Sequence, residues 1–564
     1  MLTQHNNSQR TGANLAETML TPTTVASRNF RELTRYFVEG QGQVYAQPLY
    51  ASAVDIKGSG RRNVLIIATA KNWLYAFDAD APSGSTPAPL WKFDAGSTIT
   101  APGKTIYSGP GIDINPSIGI IGTPVIDLEN FTVYFVAMTQ PDPKRKDFAH
   151  ILHAVDIRTG LSRASMVIVG ETQGGGSFNS AKENQRAALG LAKDRVFIAW
   201  ASFGDLEPYD GLVTSYGTVD SKNGLKKLTQ FQVNSHDPLL GHRPKGGGIW
   251  HSGGGPAIDS SNEFLYVVTG NGKDTSDHAG EQLDSSDVKL DMNLRVQDYY
   301  TPSYREFLND NDLDLSVSGP MIPDEWKDKN GNSVRRLLHG SKAGILYNIN
   351  RDGMGRFHQH ESDSLVQSIT VFHEPNNSAA MDKNHIHTTP AYWVSHQDRT
   401  VYVASDWGLG IRGFVFHDDG ILDSKPALST LPDPHLYAIG QLSISANGTK
   451  DGIIWAIGCV QCVDPQLAAT NSGGKQGVLL AYRADTLGAP IFTSDLIGLY
   501  PRFNAPTVAN GRVYVPTFDK GIIVFGFRPH VDNSAVTQYL LDREVPRSTR
   551  RSIAPVLNIQ LNNP

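Results

Sequence analysis

Cysteine is almost absent. Two of them in 564 residues, Cys459 and Cys462, exclude a disulfide-rich scaffold. They stand in Cys-Val-Gln-Cys, and no second Cys-x-x-Cys exists to complete a zinc site. A redox pair and half a zinc site remain open, but a local disulfide or two buried thiols on a loop is the favoured reading. No run of 18 apolar residues occurs, so no helix is read as crossing a membrane. Positive charge is scarce as well. The net charge is −6 and basic runs are as short as Lys144-Arg145-Lys146, which argues against a nucleic-acid surface. The opening Met-Leu-Thr-Gln-His-Asn-Asn-Ser lacks the pattern of a signal peptide. Helical periodicity is rare. Nucleophile-elbow, P-loop, dinucleotide-loop and His-Glu-x-x-His motifs are all missing.

What the chain has is repetition, with Gly 54 and Pro 32 to make tight turns. Gln47-Pro48-Leu49-Tyr50 leads into NVLIIAT, then WLYAFDAD, then PLWKFD. That is one four-stranded antiparallel sheet, read outward from its first strand. Further copies enter at GTPVID (122–127), GGGPAID (253–259), SGPMI (318–322), TTPAY (388–392) and NAPTVANG (504–511). Two copies lack the proline, at Gln185 and Gln441. The entry positions 48, 124, 187, 256, 320, 390, 443 and 506 predict an all-β, eight-bladed β-propeller. Seven blades is the second count, because the Gln185 copy is the faintest.

Residues 1–42 read as an N-terminal segment closing the ring, 43–530 as the propeller, and 531–564 as a C-terminal surface strap. RELTRYFVEG has the alternation of a closing strand. Long loops at 94–121, 170–184, 234–255, 273–316 and 358–387 are of the kind that carry function. Asn6, Asn130, Asn376 and Asn447 head Asn-x-Ser/Thr sequons. With the expected disulfide they point to the secretory pathway or the extracellular space.

The tail LYAFDAD…PLWKFD and its echo LHAVDIRTG resemble the repeat of pyrroloquinoline-quinone (PQQ) enzymes. In that repeat an Ala-x-Asp strand end is followed by a Thr-Gly turn and a tryptophan that docks between blades. The chain as a whole resembles a secreted PQQ-like group over about residues 25–530. Among fungal natural-product enzymes, hetero-Diels–Alder cyclases that join tropolone quinone methides to humulene-type terpenes are a candidate relative. The resemblance also implies a PQQ clamp of a tryptophan and two adjacent cysteines, with calcium held by Glu, Asn and Asp. The only cysteines here are spaced and late, so PQQ and calcium are disfavoured and no cofactor or metal is expected. DNDLDLS (310–316) is acidic enough for a cation loop, but a structural turn is favoured.

Candidate chemistry gathers just before the entry strands, which converge on the ring axis. His251 and Arg502 are the expected catalytic pair, His251 donating a proton to an oxyanion that Arg502 holds. Trp250, His387, Tyr45, Gln47 and Asn504 are the expected substrate contacts. His385 and His387 would start a metal site, but no third ligand is evident. The expected function is a secreted, cofactor-independent enzyme on a small organic molecule, a cyclase or pericyclase. The alternatives are a PQQ-dependent sugar or alcohol dehydrogenase and a non-enzymatic binding propeller. The only partner expected is a small-molecule substrate, with no nucleic acid and no membrane.

Overall fold

The computed structural model describes residues 1–527 apart from 39, 41, 103–105, 107–113, 143, 145, 146, 169, 170, 173–175, 207, 208, 235–244, 274–281, 358–365, 373–384, 406–408, 434, 461 and 463–474. Parts of every long loop singled out above, the Asn376 sequon and the C-terminal segment therefore lie outside the described residues.

The chain is an all-β propeller. Seven sheets of four or more strands stand in a ring. The first shows why the sequence folds this way. Leu49–Ile56, Gly60–Ala68, Trp73–Asp78 and Trp91–Asp94 pair antiparallel in sequence order. Gly60–Ala68 ends in the buried run Val64-Leu65-Ile66-Ile67-Ala68, because a blade's middle strands are covered on both faces.

Neighbouring sheets share their cores. Val64 and Ile66 pack with Val133 and Phe135 of the next sheet, and Tyr134 and Val136 pack onward with Val196 and Ile198. The ring closes where Tyr514 and Val524 meet Tyr50, Leu65 and Tyr75. Phe30–Tyr36 supplies the outermost strand of the last sheet by pairing with Ile522–Phe527.

The expected count of eight four-stranded blades is not what the sheets show. The faint copy at Gln185 is complete, with Gly190–Ala192, Arg195–Ser202, Leu212–Gly217 and Lys227–Gln232. The short one follows Met321. Only Arg336–Gly340, Ile345–Asn350 and Val366–Thr370 form that sheet, and Met321 adds a single bridge to Leu338.

Tryptophans latch the blades. Trp91 donates from Nε1 to the Ile157 carbonyl at 2.8 Å and covers the Thr159-Gly160 turn of the next sheet. Gly160 has φ +70, and a Cβ there would sit 2.7 Å from the Trp91 ring. Trp393 repeats the latch, donating to the Gly448 carbonyl at 3.0 Å and lying against Gly452.

The first fourteen residues fill one end of the channel, which the sequence did not suggest. They run around the ring and satisfy the inner edge of each innermost strand. Tyr50 N–H donates to Met1 O, Ile126 to Leu2, Ile258 to Ser8, Ile322 to Gln9, Tyr392 to Thr11 and Ile444 to Gly12, at 2.8–3.0 Å. Arg10 reaches Leu189 O at 2.9 Å, and Asn14 reaches Val508 O at 3.0 Å. An unpaired inner edge would leave buried backbone groups unsatisfied. This plug removes that cost.

Candidate functional site

Above the plug, loops that lead into four innermost strands meet. Phe503 is the hub. The Arg502 guanidinium lies 4.4 Å from its ring centroid and the Arg186 guanidinium 5.0 Å. His387 stacks on the same ring at 5.0 Å with an interplanar angle of 29°. Arg186 also lies 5.9 Å from the Trp250 ring and donates to Ser252 Oγ at 2.8 Å. Trp250, His387 and Arg502 are thus brought together, as the convergence of entry loops requires.

The loops are held by Gln441. Its Nε2 donates to the carbonyls of Ser252 (3.0 Å) and His387 (3.2 Å), and its Oε1 accepts from the Thr389 N–H at 2.7 Å. Three residues here carry left-handed backbone that bulky or β-substituted side chains resist: His251 (φ 49), Ser252 (φ 41) and Phe503 (φ 67). Such conformations cost about 1–3 kcal/mol each and persist where surrounding structure imposes them. Gly253 (φ +84) allows the contact, since a Cβ there would lie 2.8 Å from the Phe503 carbonyl.

The remaining expected residues lie elsewhere. His251 is fully buried, with Nε2 3.2 Å from the Val268 carbonyl and the Val268 N–H alike. Burial pushes its pKa down to about 3, so the imidazole is neutral at pH 7. The sequence expects it to donate a proton, and here burial holds the ring neutral where it sits against the Val268 backbone. Gln47 is buried and braces the plug, its Oε1 accepting from the His5 N–H at 2.9 Å. Asn504 is buried and donates to the carbonyls of Val44 (2.8 Å) and Ala46 (3.2 Å), tying the last sheet to the first. Tyr45 is half-buried, with its ring 4.5 Å from Phe518.

The electrostatics of the mouth are uneven. Lys475, whose carbonyl accepts from the Tyr500 N–H at 3.1 Å, has its pKa lowered to about 8 by burial and then by the Arg502 charge. Below the floor, Arg10 is buried and donates to Pro256 O (3.0 Å), Thr3 Oγ1 (2.7 Å), Gln4 O (2.8 Å) and Leu189 O (2.9 Å). Burial pulls its pKa down to about 9, so it stays charged at pH 7. Beyond Trp250 the sign reverses. Tyr209, 6.4 Å from Trp250, donates to Asp205 at 2.9 Å. Burial raises the Asp205 pKa, and the Asp314 charge raises it further.

Sequence reading missed Arg186, Phe503 and Lys475. Arg186 had a positional signal, since it stands one residue before an entry position just as Gln47 does. The faint copy around it hid that signal.

The residues do not fit a PQQ–calcium centre. Cys459 and Cys462 form a disulfide, but they are three residues apart rather than adjacent and are buried in the core that Trp455, Leu479 and Val513 share. Asp312 and Asp314 of the acidic loop hold the Lys342 ammonium at 3.0 and 2.7 Å, which puts a side-chain cation where a metal would go. His385 and His387 stand 5.4 Å apart, and no group of three metal-ligating residues occurs among the described residues.

No protein-family model matches the chain, and no curated protein matches it. Solved structures share its fold. One is the quinohemoprotein alcohol dehydrogenase of Comamonas testosteroni, at 15% identity and TM-score 0.59, covering 94% of this chain and 81% of that one. The quinohemoprotein alcohol dehydrogenase ADHIIG of Pseudomonas putida HK5 follows at 12% identity and TM-score 0.57, covering 93% and 80%. A europium-containing methanol dehydrogenase gives 13% identity and TM-score 0.56, covering 93% and 88%. The fold is therefore PQQ-like. At these identities the likeness establishes the fold alone.

Proposed function

We propose that this chain is an enzyme acting on a small organic molecule seated over the channel mouth. It closes a ring without a redox cofactor, as a cyclase of the hetero-Diels–Alder type. One observation carries the reading: loops from distant parts of the chain present two guanidinium groups and an imidazole around Phe503, beside Trp250. Such a reaction forms a C–C and a C–O bond and loses no atoms, so no nucleophile or electron acceptor is needed. Trp250 and Phe503 stack the heterodiene and hold the alkene against it. Arg502 and Arg186 stabilise the charge that builds on the carbonyl oxygen, the task expected of Arg502 from the sequence.

The test generates an o-quinone methide in buffer with a cyclic terpene triene and resolves the product by chiral chromatography. One enantiomer in excess is expected, lost in Arg502→Gln and Phe503→Ala at unchanged melting temperature. Racemic product at the uncatalysed rate overturns the reading. The fold likeness favours a second reading, a quinone-dependent dehydrogenase. Dye reduction by the purified chain with PQQ, calcium and an alcohol or sugar would replace the cyclase proposal with it.

Two finer proposals belong here. The three-stranded sheet counts as an eighth blade, because Ile322 meets the plug as the other innermost strands do. The chain works in an oxidising compartment, as the Cys459–Cys462 disulfide and the exposed Asn447 sequon suggest. Asn6 gives its amide to Ala13, so it is not a glycan site.

A further inference from the structure

The mouth and the channel below it are rich in positive charge. Arg10 is buried in the plug with four donor contacts, to three carbonyls and one hydroxyl. Among the described residues, neither Arg502 nor Lys475 makes an ion pair, and the Arg502 charge adds to burial in lowering the Lys475 pKa. His251, between Arg10 and Arg186, is neutral and offers no compensation. Beyond Trp250 lies an acidic cluster. There Asp312 and Asp314 are engaged by Lys342, and Asp205 is held by Tyr209. A half-buried cation pair without a counter-ion is costly, and an anion that fills the gap is bound by charge-assisted hydrogen bonds. The low-dielectric walls and Arg10 below focus the field on that gap. The flat faces beside it, Phe503 and Trp250, set the shape of what fits.

We infer that the site takes a planar, conjugated monoanion, a carboxylate or enolate, with its charged end held by Arg502 and Lys475 and its face on Phe503. This rests on the channel mouth being the working site proposed above. It adds a ligand class that the cyclase reading leaves open. The acidic far side sets the orientation, since the neutral end of the ligand must point toward Asp205.

The test is isothermal titration of the full chain with 2-naphthoate and with its neutral isostere 2-naphthamide, at low and high salt. The carboxylate should bind about 10-fold tighter than the amide, and high salt should narrow that gap. Arg502→Gln should bring the two to parity with melting temperature unchanged, while Arg502→Lys keeps part of the preference. Equal binding of both probes to the unaltered chain overturns the anion inference and leaves the site standing. A preference that survives in both Arg502→Gln and Lys475→Gln also overturns it, by placing the anion elsewhere. Binding of neither probe overturns the inference and the site together.

Discussion

Phe503 is half-buried, yet it is held in a left-handed backbone conformation with cations on its ring. That arrangement costs stability locally and is explained by what it presents. Phe503→Gly should relieve the backbone strain and raise the melting temperature or leave it unchanged, while ligand binding falls at least about 10-fold. A large loss of stability would make the ring a packing residue instead. His153 makes the opposite case. Its ring stacks on Phe135 at 5.0 Å and meets Phe93 edge-on at 5.4 Å, and both nitrogens are buried without a hydrogen-bond partner. His153→Phe removes two unsatisfied polar atoms from an aromatic stack. It should stabilise the chain by about 1 kcal/mol, read as a rise in melting temperature. These residue-scale facts were only partly legible beforehand. Trp250, His387 and Arg502 could be read because entry loops must converge in a ring. The burial of His251 could not, since it depends on a left-handed turn at His251 and Ser252 that seats the ring on the Val268 backbone.

The latch and the plug are the elements that make the ring one unit. The latch was legible: Trp91 and the Thr159-Gly160 turn stand where the repeat places them, and the indole does cross to the next sheet. Gly160→Ala forces a Cβ into the Trp91 ring at a positive φ and should cost about 2 kcal/mol, seen as a lower melting temperature. The plug was not legible, because its hydrogen bonds are made largely by main-chain carbonyls and carry no residue pattern. Its one conspicuous side chain is Arg10. Arg10→Met would leave the Pro256, Gln4 and Leu189 carbonyls unpaired and should cost at least about 3 kcal/mol. An unchanged melting temperature in that variant would mean the plug adds nothing to the ring.

On the scale of the whole molecule, stability should be acid-sensitive. His5, His150, His153 and His251 are buried, and burial lowers their pKa values to about 4, 3, 4 and 3. Below about pH 6.5 the unfolded chain takes up protons that the folded chain refuses, so stability is complete above that pH and falls as pH drops toward 4. Each imidazole contributes up to about 1.4 kcal/mol per pH unit in that window. Melting temperatures from pH 7.5 to 4.5 check this, and His153→Phe should flatten the slope. The blade count shows where repeat reading stops. An entry motif at Met321 announces a blade, but a proline-led motif alone does not guarantee a paired strand. The claim that matters most at this scale is that the ring works at its mouth. A crystal structure of the full chain with 2-naphthoate tests it most directly. The ligand should lie over the channel against Phe503, with its carboxylate toward Arg502 and Lys475. A ligand bound between blades or on the outer strands, with the mouth unvisited, would contradict the account.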